Sequence, residues 1–104
     1  MRDKRIALVT GANKGIGFEV ARQLARKGFH VFLGARNEKA GRAAADKLQS
    51  DGEITFIQID VADPVSIKRA AKEFSQHGER LDTLVNNAGV LLDDDKDILR
   101  VSVE

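Results

Sequence analysis

Short runs rich in β-branched residues alternate along this chain with longer amphipathic stretches. Strands separated by helices return to one sheet as parallel neighbours. Ile6-Ala7-Leu8-Val9 reads as a buried strand ended by Thr10-Gly11, and His30-Val31-Phe32-Leu33 as a second strand closing at Gly34. Ile54-Thr55-Phe56-Ile57-Gln58-Ile59 reads as a third, and Leu81 to Val85 as a fourth. The first intervening stretch, Gly15 to about Lys27, places Ile16, Val20 and Leu24 on one helical face. A second stripe of small residues, Gly17, Ala21 and Ala25, lets that helix approach a sheet closely, and Gly28 stops it. Glu38 to about Ser50 is a helix with Ala40, Ala44 and Leu48 facing in, followed by a turn at Asp51-Gly52. Asp63-Pro64 is a strong helix start, with Ile67, Ala70, Ala71 and Phe74 as the inward face and Gly78 as the stop. Past Gly89 the pattern weakens, and Ile98 to Glu104 is ambiguous between strand and helix start.

The segment Thr10-Gly11-Ala12-Asn13-Lys14-Gly15-Ile16-Gly17 joins the first strand to the first helix. A glycine cluster without such flanks is a weak signal; with them it describes a phosphate-binding turn. Gly11 permits the tight exit from the strand, and Gly15 removes a Cβ where backbone must approach a pyrophosphate. Gly17 permits close helix–strand packing, and the helix amino terminus offers N–H groups and the positive end of its dipole. A tight turn holding no ligand is the alternative, and the flanking elements favour the ligand.

The spacing is Gly-x-x-x-Gly-x-Gly, and Asn86-Asn87-Ala88-Gly89 follows the fourth strand. Together these resemble the short-chain dehydrogenase/reductase family over roughly Lys4 to Val90. The wording Asn13-Lys14-Gly15-Ile16-Gly17 and the pair Asp60-Val61 are most similar to carbonyl-reductase-like members, which use NADPH. The resemblance implies an α/β Rossmann-type doubly wound parallel sheet, truncated here, with strand order 3-2-1-4. The first two helices would lie on one face and the third on the other. It also implies cofactor contacts from Gly11, Asn13, Lys14, Gly15, Ile16 and Gly17 in the turn. Asp60 would touch the adenine amino group beside the Val61 backbone. Asn87, Ala88 and Gly89 would lie against the adenosine ribose and the central part of the cofactor, while Asn86 either joins them or braces the turn.

Charge bears on which dinucleotide is held. Folds that bind NAD place an acid at the end of the second strand for the ribose 2′-OH. Here that region reads Gly34-Ala35-Arg36-Asn37, with no acid before Glu38. Arg36 can make a forked contact with a 2′-phosphate, and Lys14 can reach the same group from the glycine turn, which favours NADP(H). The alternative is that both are solvated surface charges.

The family's reaction uses a Tyr as general acid, a Lys four residues later, a Ser on the substrate carbonyl and a supporting Asn. The 104 residues contain no Tyr, and the expected region of the others lies past them. Residues 1–104 are therefore expected to form a single, partial dinucleotide-binding domain without the catalytic half, able to hold a cofactor and not to turn over. The parent enzyme would move hydride between nicotinamide and a small carbonyl or alcohol substrate. The rival readings are a non-catalytic dinucleotide-binding or interaction module, and a truncated product with neither property. In this cut-short sheet the fourth strand would be an exposed apolar edge, prone to self-association.

Composition narrows the rest. A net charge of +1 argues against a dedicated nucleic-acid or membrane surface. With no Cys there is no disulfide framework and no thiolate zinc site. The apolar run after Arg5 is too short for a secretory core or a membrane span, so a cytoplasmic protein is expected. Asp93, Asp95, Asp97 and Glu104 fall at ligand positions of a calcium loop, but Ile98 stands where that loop needs Gly, and a solvated acidic loop is the better reading. His30 and His77 have no metal spacing, and Ser66, Ser75 and Ser102 have no neighbouring base.

Overall fold

A computed structural model describes residues 4–77 and 80–87. In chain order the elements are β1 (Ile6–Thr10), α1 (Gly15–Arg26), β2 (His30–Ala35), α2 (Glu38–Lys47), β3 (Glu53–Gln58), α3 (Pro64–Ser75) and β4 (Thr83–Asn86). The strands form one sheet in the order β3-β2-β1-β4, every pair parallel. This is the arrangement expected from the alternating pattern and the family resemblance.

The unbroken apolar run of β2 has a simple cause: all six of its residues are buried, because helices cover both faces of the sheet. On one face Val9, Val31, Leu33, Ile54 and Val85 pack with Ala21 and Ala25 of α1 and with Ala44, Ala45 and Leu48 at α2. On the other, Ile6, Phe32 and Ile57 pack with Ala70, and Phe74 closes over them. The Phe32 ring lies 4.5 Å from His30, 4.8 Å from Phe74 and 5.0 Å from His77, centroid to centroid. The first two helices and the third thus lie on opposite faces.

In two helices the inward face departs only in part from the apolar spacing: α1 buries its small-residue stripe, and α3 keeps Ala70 and Phe74 inward but buries Ser66 in place of Ile67 and Ala71. In α1 the buried residues are Gly17, Ala21 and Ala25, whereas Ile16 is 75% exposed. The small stripe wins because the helix lies so close to the strands that larger side chains fit only beside the contact line, where Val20 and Leu24 pack. On the outer side of α1, hydrogen bonds from Gln23 and Arg22 hold the Glu19 carboxyl below the usual carboxylate range. In α3 the buried residues are Ser66 and Ala70, while Ile67 and Ala71 are exposed. The Ser66 hydroxyl accepts a hydrogen bond from the Asp60 amide at 2.8 Å, which gives the inward Ser66 a partner at the end of β3.

The helix ends follow local chemistry. Asn37 caps α2 by accepting from the Ala40 amide at 2.8 Å, and Asp63 caps α3 by accepting from Val65 at 3.0 Å. The amino end of α1 has neither a side-chain cap nor an acid in its first turn. Among the described residues β4 is hydrogen-bonded in the sheet only to β1, with Thr83 and Val85 buried and Leu84 exposed. Gly78, Ala88, Gly89, the acidic segment 93–97 and residues 98–104 lie outside the described residues. No helix among the described residues is long and apolar enough to cross a membrane. Nor do they contain a cluster of side chains suited to a metal ion.

Candidate functional site

The carboxyl ends of the four strands open on one cavity of about 540 Å³. It lies where the strand order reverses, with β2 and β3 to one side of β1 and β4 to the other. In open α/β sheets ligands settle at this switch point, because the loops leaving the strands diverge there. Gly11, Asn13, Lys14 and Gly15 line it from the β1–α1 turn, Arg36 from the end of β2, Ile59, Asp60, Val61 and Ala62 from the end of β3, and Asn87 from the end of β4.

The turn is held by backbone and side-chain bonds. Gly11 and Gly15 have φ of 60° and 65°, the left-handed region in which a side chain is strained. A Cβ at Gly15 would meet nothing within 4 Å, so the backbone there faces open space. The Ala12 amide donates to the Gly34 carbonyl at 2.9 Å, stapling the turn to β2. Thr10 ties it to β4: its hydroxyl donates to Asn86 Oδ1 at 3.1 Å and accepts from the Asn87 amide at 3.0 Å. Asn87 Nδ2 in turn donates to the Gly11 carbonyl at 3.1 Å. Asn86 therefore acts as a brace of the strand–turn junction.

Opposite, the Asp60 segment is fixed from three directions. Its amide donates to Ser66 Oγ, its carboxylate accepts from the Ala62 amide at 3.0 Å, and its carbonyl accepts from the Asp63 amide at 2.9 Å. Lys14 and Arg36 are exposed, and neither forms an ion pair among the described residues. The cavity thus gathers two cations, the uncapped amino end of α1 and one carboxylate placed away from them in sequence. Its chemistry suits an anionic ligand with a hydrogen-bonding ring system.

Of the residues singled out from sequence, Gly11, Asn13, Lys14, Gly15, Arg36, Asp60, Val61 and Asn87 meet around this cavity. Ile16 is not among its lining and Gly17 lies buried beneath the turn, while Ala88 and Gly89 fall outside the described residues. Sequence reading missed Ile59 and Ala62 in the lining and the bracing hydroxyls of Thr10 and Ser66. A signal for Ser66 did exist: it shares the i, i+4 inward stripe with Ala70.

A family model described as short chain dehydrogenase matches residues 5–104, and the chain belongs to that family. It is 51% identical over 92 residues to (-)-isopiperitenone reductase of Mentha piperita, covering 84% of this chain and 29% of that protein. It is 52% identical over 90 residues to carbonyl reductase (NADPH) 3 of Mus musculus, covering 83% of this chain and 32% of that protein. Among solved structures, the Pseudomonas aeruginosa RhlG/NADP active-site complex superposes with a TM-score of 0.79 at 40% identity, covering 83% of this chain and 35% of that one. The chain thus spans about a third of the length of these relatives.

Proposed function

We propose that this chain is the NADP(H)-binding portion of a reductase whose whole length transfers hydride between nicotinamide and a small carbonyl or alcohol substrate. One observation carries the reading: Lys14 and Arg36, from separate loops, line one cavity with an open glycine turn, and no acid stands at the end of β2. The pyrophosphate would lie on the uncapped amino end of α1 over Gly15, where both the space and the N–H groups fit it. The 2′-phosphate would lie between Lys14 and Arg36, and the adenine against Asp60 and Val61. Asn87, with Ala88 and Gly89 beyond it, would face the ribose and the middle of the dinucleotide.

When bound, the nicotinamide supplies the hydride chemistry, and these residues bind and orient it. Relatives that carry NADPH or NADP in their names support the choice. A non-catalytic dinucleotide-binding module is the second reading. The two separate on whether the reading frame continues into a Tyr-x-x-x-Lys sequence.

Titration calorimetry of the 104-residue chain with NADPH and NADH tests the cofactor reading. NADPH is expected to bind roughly 10- to 100-fold more tightly, the worth of one or two exposed charge-assisted contacts to a phosphate. Added salt should narrow the gap, since those contacts face solvent. Equal affinities, or none for either nucleotide, would overturn it.

A further inference from the structure

Resting on that reading of the cavity, we propose that Gln58 is a positioning residue that sets the preference for a 2′-phosphorylated dinucleotide by anchoring the backbone from which Arg36 projects. Gln58 is the last residue of β3 and lies in register with Ala35, the last of β2. One step on, the Ile59 amide donates to the Ala35 carbonyl at 3.0 Å, and there the main-chain bonding between the two strands ends. The next carbonyl, that of Arg36, accepts instead from Gln58 Nε2 at 3.1 Å. On the far side the chain is fixed again, because Asn37 caps α2, its side chain accepting from the Ala40 amide and its carbonyl from the Gly41 amide.

Arg36 is thus the one residue between the end of β2 and the cap of α2, pinned at its carbonyl by a side chain from the neighbouring strand. Its guanidinium sits at the tip of a long exposed side chain, so a small rotation of its peptide sweeps the charge across the cavity mouth. Fixing that peptide before the ligand arrives removes an ordering cost from binding. Gln58 is itself exposed and does not line the cavity, so it acts through Arg36. Losing its amide leaves no core void and no buried polar group, and a purely structural role predicts little change from its removal.

The test is a double-mutant cycle in the full 104-residue chain, using Gln58→Met, which keeps length and removes the donor. Gln58→Met is expected to weaken NADPH binding about 3- to 10-fold, the usual worth of one hydrogen bond, with NADH affinity and thermal midpoint unchanged. In an Arg36→Ala background the same change should add no further loss. Without any nucleotide, the Arg36 and Asn37 amides should show lower NMR order parameters in Gln58→Met than in the parent chain. Equal loss of NADPH and NADH, a loss that persists without Arg36, or unaltered Arg36 dynamics would overturn the proposal. A parent chain that prefers NADPH while Gln58→Met keeps the full preference would overturn it alone. A parent chain without preference would overturn the reading of the cavity and this inference with it.

Discussion

Replacing Lys14 and Arg36 together with alanine lowers NADPH affinity about 100-fold and leaves NADH affinity within a factor of about two. Both side chains line the cavity, both are exposed, and neither has an ion pair among the described residues. Their removal therefore deletes no internal contact that the fold depends on. A charge-assisted contact with a phosphate contributes roughly 1.5–3 kcal/mol, less where solvent screens it, so two exposed contacts come to about 3 kcal/mol. The single replacements should not sum to that figure, because both cations would face the same phosphate. Calorimetric titration of the parent, both single variants and the double variant with each nucleotide decides it. An equal fall for NADPH and NADH would mean that the two cations hold the pyrophosphate or the protein itself.

Gly17→Ala should destabilise the chain by about 2–3 kcal/mol, a large fraction of what holds a domain of this size together. A Cβ at this position would lie 2.5 Å from the Gly11 carbonyl oxygen, 2.5 Å from Asn87 Nδ2 and 3.1 Å from the Ala12 Cα. Two of these neighbours are backbone and cannot swing aside, so α1 must lift away from the turn. Lifting also strains the Asn87–Gly11 bond that joins the turn to β4. Gly15→Ala makes the contrast: its Cβ meets nothing within 4 Å, and only the φ of +65° costs anything, about 1 kcal/mol. It would instead put a methyl group into the space assigned to the pyrophosphate. Chemical denaturation with nucleotide titration should find Gly17→Ala mainly a stability defect and Gly15→Ala mainly a binding defect. Equal stability of the two variants would contradict the close-approach account.

What could be read from sequence follows from how local each signal is. The central strand β2 announces itself because burial on both faces demands an unbroken apolar run, as in Val31-Phe32-Leu33. The Asp63-Pro64 start of α3 and the Gly28 stop of α1 are equally plain, since cap chemistry involves only near neighbours. The choice between two stripes on α1 was not local. Periodicity shows Ile16, Val20 and Leu24 as one face and Gly17, Ala21 and Ala25 as another, and only the distance to the sheet decides between them. On α3 the inward Ser66 accepts from the Asp60 amide, a polar contact invisible to a hydrophobic pattern. The bracing of the glycine turn by Thr10, Asn86 and Asn87 joins residues more than seventy positions apart, and nothing in either segment alone reveals it.

Amide chemical-shift mapping of the chain titrated with NADPH tests most directly whether the dinucleotide occupies the cavity at the carboxyl ends of the strands. Shifts are expected at Gly11, Asn13 to Gly17, Arg36, Asp60, Val61 and Asn87, with His30 and Glu53 at the opposite end of the sheet left in place. Shifts confined to the β4 edge or to the His30 end, or no saturable shifts at all, would contradict that placement.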